Sequence, residues 1–149
     1  MKSRVSILVW KGNVYIPTMA PFEYGGWVSV DPVIITKPNF DDLIPAINEI
    51  TEKNLNQLTL QTDDIKDLID PILHATNAKS WHQLAETGAA YLIDRDDDQI
   101  IVNITLPGKK HKFQFDNEKT EILPPDTSLE NILEIILDDI HSRPELFIP

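Results

Sequence analysis

Tyr91-Leu92-Ile93-Asp94-Arg95-Asp96-Asp97-Asp98-Gln99-Ile100-Ile101-Val102-Asn103-Ile104-Thr105-Leu106 is the stretch on which the fold class turns. Ile100, Val102, Ile104 and Leu106 alternate with Ile101, Asn103 and Thr105, the period of two expected of a half-buried strand. Tyr91-Leu92-Ile93 is a short apolar run ahead of it, and Asp94-Arg95-Asp96-Asp97-Asp98 reads as the turn between the two. Downstream, Pro107-Gly108-Lys109-Lys110 leads into Phe113 and Phe115, and Asp116-Asn117-Glu118-Lys119 turns the chain again into Ile122-Leu123. Short apolar runs separated by turn residues predict a meander of antiparallel strands.

Upstream, residues 5–9 and 13–16 read as a hairpin around Lys11-Gly12, with glycine where a tight turn needs it. Pro17, Pro21, Gly25 and Gly26 mark a loop over residues 17–26. Trp27-Val28-Ser29-Val30 and Val33-Ile34-Ile35-Thr36 are strand-like, and Asp31-Pro32 between them predicts a kink or a bulge. The period then changes to that of a helix. Leu43, Ile44, Ile47 and Ile50 follow Asp41-Asp42, one of which is expected as N-cap, with Pro45 tolerable only in the first turn. Residues 53–61 read as a polar loop or a short extended piece.

Thr62 is expected to cap the next helix, with Asp63 and Asp64 favourable at the positive end of its dipole. Ile65, Leu68, Ile69, Ile72 and Leu73 form one apolar stripe. Pro71 predicts either a kink in that helix or a second helix capped by Asp70. Ser80-Trp81-His82-Gln83 has the capping-box pattern and opens a short helix to Thr87, which Gly88 ends. Thr127-Ser128-Leu129-Glu130 is a second capping box. It precedes Leu129, Ile132, Leu133, Ile136 and Ile140, an amphipathic helix that Pro144 terminates. The order hairpin, strand, helices, meander, helix predicts an α+β fold. Its mainly antiparallel sheet, an N-terminal hairpin plus a C-terminal meander, would be packed with helices.

Residues 1–149 suit a single α+β domain, a length that buries roughly 68–70% of the unfolded surface without a disulfide or metal staple. The absence of cysteine removes disulfides, thiolate metal sites and cysteine nucleophiles, and agrees with a cytoplasmic location. The N-terminal apolar run is too short for a signal peptide, and no stretch approaches the ~20 apolar residues of a membrane span. With 24 acids against 13 bases, the net charge is −11. That field repels phosphate backbones and anionic membranes, so nucleic acid and membrane are excluded as partners and a basic protein partner is favoured.

No catalytic constellation or cofactor motif stands out. His74, His82, His111 and His141 never pair at the spacing of three to five that metal ligands favour. Asp94, Asp96 and Asp98 alternate like the first ligands of a calcium loop. However, Gln99 and Thr105 stand where that loop needs glycine and glutamate, which makes a solvated turn the simpler reading. No G-x-S-x-G elbow or glycine-rich phosphate loop is present.

Asp41, Asp42, Asp63 and Asp64 have a local reason at helix starts, where they complement the dipole. Asp94, Asp96, Asp97 and Asp98 have none, and neither do Asp138 and Asp139 near the negative end of the last helix. Glu130, Glu134, Asp138 and Asp139 are expected on that helix's polar side, compensated by a nearby cation or presented to a partner. Trp81, opening a helix, is a candidate apolar anchor.

The segment from Ala75-Thr76-Asn77-Ala78 through Lys79-Ser80-Trp81, Leu84, Gly88-Ala89 and the acidic turn resembles bacterial immunity proteins of contact-dependent growth inhibition systems. Asp31-Pro32-Val33 ahead of a capped helix, and Pro124, Asp126 and the final helix, extend the likeness over most of the chain. The resemblance implies a non-enzymatic α+β inhibitor that binds a toxin domain, commonly a basic nuclease, in a bacterial cytoplasm. Asp94, Asp96, Asp97, Asp98, Glu134, Asp138 and Asp139 would then pair with partner cations, and Trp81 would anchor the contact. Two other readings stay open. One is a small enzyme with a cleft of dispersed residues and His82 or His111 as acid–base group. The other is a structural or regulatory homodimer that pairs through an exposed strand edge.

Overall fold

In the computed structural model of the chain, residues 3–106 and 113–149 are described. The expected turn at Pro107-Gly108-Lys109-Lys110 and His111 lie outside the described residues. Strands β1 (Ser3–Trp10), β2 (Asn13–Pro21), β3 (Trp27–Thr36), β4 (Ala89–Arg95), β5 (Ile100–Ile104) and β6 (Glu121–Leu123) form one antiparallel sheet in the order β3-β2-β1-β4-β5-β6. The expected N-terminal hairpin and C-terminal meander are both present, but the meander has one strand fewer than expected. Phe115 makes only an isolated bridge to Thr105, and the chain continues past Asp116-Asn117-Glu118-Lys119 along the same side of β5 into β6. β1 joins hairpin and meander by pairing with β4 from Ser3↔Arg95 to Val9↔Ala89.

Lys11 and Gly12 both have positive φ, 51° and 79°, the geometry that lets a two-residue turn follow the twist of its strands. β2 runs on to Pro21 where a loop was expected. Its register shifts between Pro17 and Thr18, so the ladder is already broken where proline has no N–H to donate. On β3, Pro17 pairs with Val33 and Thr18 with Val30, leaving Asp31 and Pro32 bulged out on an edge strand with a cis peptide between them.

Helices α1 (Phe40–Leu55), α2 (Thr62–Ile65), α3 (Pro71–Thr76) and α4 (Trp81–Thr87) lie between β3 and β4, and α5 (Leu129–His141) follows β6. α1 starts earlier than expected, because Asn39 is the cap and accepts from Asp42 N at 2.8 Å. Pro45 therefore lies beyond the first turn, and the helix continues through residues 53–55, which had read as loop. α2 is a single turn capped by Gln61 rather than Thr62, whose hydroxyl donates to Glu23 instead. Asp70 caps a separate helix with Pro71 at its first position, so the kinked-helix alternative is set aside. Leu68 and Ile69, expected in a buried stripe, fall in the break and are exposed. Ser128, not Thr127, caps α5.

The sheet carries apolar side chains on both faces. Val5, Ile7, Val9, Tyr91, Ile93, Val102 and Ile104 pack on one face against α1 and α5. Leu8, Trp10, Tyr15 and Ala90 pack on the other against Ile72 of α3 and Leu84 of α4. The result is a central sheet between two helical layers, an α+β fold. Among the described residues no helix is long and apolar enough to cross a membrane.

Candidate partner-binding surface

The β4–β5 connection is an acidic turn narrower than its sequence suggested. Asp94 and Arg95 belong to β4, and the turn proper begins at Asp96. Asp94 faces Arg4, its cross-strand partner, which donates to both carboxylate oxygens at 2.7 and 2.9 Å. Asp94 is 4% exposed, so its charge is answered inside the protein. Asp96 is half-buried, and its Oδ1 accepts from Asp98 N and Gln99 N at 2.8 and 3.0 Å, closing the turn. Asp97 and Asp98 are exposed at its tip.

The acids of α5 separate in the same way. Glu130, Glu134 and Asp138 are exposed at i, i+4 and i+8, a ridge about 12 Å long at 1.5 Å per residue. Asp139, expected beside them, lies about 100° further round the helix and is 8% exposed. It accepts from Tyr91 Oη at 2.7 Å and Lys119 Nζ at 3.0 Å. Arg143 Nε stands 3.1 Å from Oδ2, the oxygen that also accepts from Tyr91, close enough for charge attraction but not aligned for a hydrogen bond. Arg143 itself is buried, and its Nη2 donates to the carbonyl of Thr105. Burial, followed by the hydrogen bond to Asp139, pushes the Tyr91 hydroxyl well above its ordinary pKa, so it stays a donor.

Trp81 is 38% exposed. Its Nε1 donates to Asp70 Oδ2 at 2.5 Å, and its ring stands edge-on to Phe113 with centroids 6.1 Å apart. Because Asp70 Oδ1 also caps Ile72 N and Leu73 N, one carboxylate fixes both α3 and the indole. Trp81, Leu68 and Ile69 border an open groove of about 420 Å³ along the start of β3 at Trp27-Val28-Ser29.

Of the acids picked from the sequence, Asp96, Asp97 and Asp98 share a turn, and Glu134 and Asp138 share a helix ridge. Asp94 and Asp139 are held inward by cations. One cation near Asp139 had a sequence signal, since Arg143 stands at i+4, two residues past the end of α5. Arg4, separated from Asp94 by 90 residues, had none. His82 Nε2 lies 2.7 Å from Glu86 Oε1 on the surface of α4. Among the described residues no group of three or more His, Asp or Glu is placed to hold a metal ion.

No family model matches the chain, and no curated protein matches it. Solved structures do. A protein of unknown function from Neisseria meningitidis aligns at a TM-score of 0.63 and 14% identity, over 91% of this chain and 93% of its own. A chain of the CdiA-CT/CdiI toxin and immunity complex from Yersinia pseudotuberculosis aligns at 0.57 and 13% identity, over 91% of this chain and 95% of its own. Nearly the whole of each chain is matched with almost no shared sequence, so what is common is the fold: this chain is built on the architecture of a chain in a contact-dependent growth inhibition toxin and immunity complex.

Proposed function

We propose that this chain is a non-enzymatic, acidic protein-binding module, an immunity-type inhibitor that binds and neutralises a basic, nuclease-like toxin domain in a bacterial cytoplasm. The observation that carries this reading is the fold shared, end to end, with a chain of a toxin and immunity complex. The net charge of −11 supports it, because a nuclease that holds polyanions presents cations and an acidic inhibitor is steered onto them. The proposed contact uses the exposed acids Asp97, Asp98, Glu134 and Asp138 and the half-buried Asp96, with Trp81 and its groove as an apolar anchor. Asp94 and Asp139 take part by holding the strand end and helix that carry these acids.

The test is to read the neighbouring gene and co-express this chain with the C-terminal domain it encodes; a neighbour that encodes no toxin counts against the reading. Protected growth and recovery of the two chains as one complex are expected. Equal killing with and without this chain, and no complex between the purified proteins, would overturn the reading. A small-enzyme reading gains nothing from the two described pockets, neither of which is lined by a histidine. A homodimer through β3 is favoured by one observation, that among the described residues no strand pairs with its outer edge. The Asp31-Pro32 bulge interrupts that edge and limits continuous pairing. A solution mass of one chain excludes it.

A further inference from the structure

A second cavity lies at the same end of the sheet as the acidic turn. It has a volume of about 260 Å³ and opens between α1, the start of β1, the end of β4 and the first residue of α5. Val5, Trp27, Ile47, Ile93 and Leu129 make it apolar. Two of its polar residues are committed elsewhere. Thr51 Oγ1 donates to Ile47 O, and the Asn54 side chain bridges Met19 N and Arg4 O.

Arg95 is not committed. It pairs with Ser3 in the β1–β4 ladder, two residues beyond Ile93, so its stem follows the apolar face towards the helices. Its two neighbours in sequence cannot answer its charge from where they are. Asp94 points to the opposite face and is held by Arg4, and Asp96 is folded into its own turn. Among the described residues no carboxylate pairs with Arg95, whereas Arg4, Lys119 and Arg143 each have one. A lone guanidinium over an apolar bed, with the exposed Asn48 amide at the rim, is a site for one anionic head and one apolar body.

Size narrows the class. A cavity of ~150 Å³ lined by aliphatic side chains holds one benzene ring, so this one holds roughly ten non-hydrogen atoms. The planar fork of Arg95 matches a carboxylate in two parallel hydrogen bonds. We propose that this pocket binds a small monocarboxylic acid, its apolar body against Ile47, Ile93 and Leu129 and its carboxylate on Arg95. The site stands apart from the toxin-binding reading and uses none of the acids assigned to it.

Three probe acids test the proposal: hexanoate, phenylacetate and indole-3-acetate, titrated into the 15N-labelled chain and followed by amide shifts. At least one is expected to shift Asn48, Thr51, Ile93 and Arg95 with saturation. The corresponding neutral amide should bind at least about tenfold more weakly, the worth of a charge-assisted hydrogen bond. Arg95→Met should lose a similar factor for the acid while leaving the amide unchanged. Asn48→Trp, at an exposed helix position over the mouth, should abolish both. If none of the acids shifts these amides up to its solubility limit, or if the Arg95→Met chain binds the acid as tightly as the wild-type chain does, the assignment is overturned.

Discussion

Asp94 and Asp98 stand four residues apart with the same chemistry and opposite roles. Asp98 is solvated at a turn tip, whereas Asp94 is held by Arg4 in a two-pronged pair whose side chains are 5% and 28% exposed. Arg4→Met leaves a buried carboxylate without its counter-ion and is expected to cost about 2–3 kcal/mol, below the full buried-pair loss because Arg4 is partly solvated. Asp98→Asn should stay within about 0.5 kcal/mol. Urea midpoints of the two variants check this, and the double change Arg4→Met with Asp94→Leu should recover most of the loss. Tyr91 offers a test in pH. Its hydroxyl is raised above the ordinary value of 10.0 by burial and by Asp139. On the alkaline side of that value the unfolded chain releases a proton that the folded chain keeps, so stability falls as pH rises. Tyr91→Phe removes one hydrogen bond to a charged acceptor, so wild type should be about 1.5–2 kcal/mol more stable at neutral pH. That advantage should shrink towards about pH 11, as measured by urea denaturation at both pH values.

At the scale of elements, each helix boundary is set by which backbone group finds a partner. Asn39, Asp70, Ser80 and Ser128 each supply a side-chain oxygen to an orphan N–H of the first turn. α4 ends differently. Gly88 donates to Leu84 O, and a Cβ there would come within 2.4 Å of Leu84 O and 3.0 Å of Val9 O. The end of α4 thus sits close against β1, and a side chain at Gly88 is blocked first by the carbonyl of Leu84 in its own last turn. Gly88→Ala must distort the last turn of α4 at Leu84 O and press on Val9 O of β1, at an expected cost of about 2 kcal/mol. The check is a lowered thermal midpoint with unchanged secondary structure by circular dichroism. Its extended φ of −106° means that strain of the backbone itself contributes nothing.

For the molecule as a whole, the charge divides into an internal and an external share. Asp94 and Asp139 neutralise Arg4, Arg143 and Lys119 inside the fold, while Asp96, Asp97, Asp98, Glu130, Glu134 and Asp138 remain towards solvent. Long-range steering depends on the external share. Replacing Asp96, Asp97 and Asp98 together by Asn keeps the acceptor oxygen that closes the turn and removes three charges. The association rate with a basic toxin domain is expected to fall by about tenfold at low salt, with a flatter dependence on ionic strength. Stopped-flow association across a salt series measures both, and an unchanged rate would remove this turn from the proposed interface.

The sequence by itself determined the α+β class, the hairpin at Lys11-Gly12, the bulge at Asp31-Pro32 and the amphipathic α5, because each follows from contacts within a few residues or from periodicity along one element. The fold shared with a chain of a toxin and immunity complex was also legible, through a short resemblance around Lys79-Ser80-Trp81. Only the tertiary structure decided that β1 joins hairpin to meander and that α1 runs through Pro45. It likewise decided which acids remain outside: Asp139 turns inward because Tyr91 and Lys119 meet it there, and Asp94 because β1 brings Arg4 opposite. Charge counts along a chain sum every carboxylate alike. Burial and a counter-ion from a distant strand decide which of them the surrounding water, or a partner, can meet.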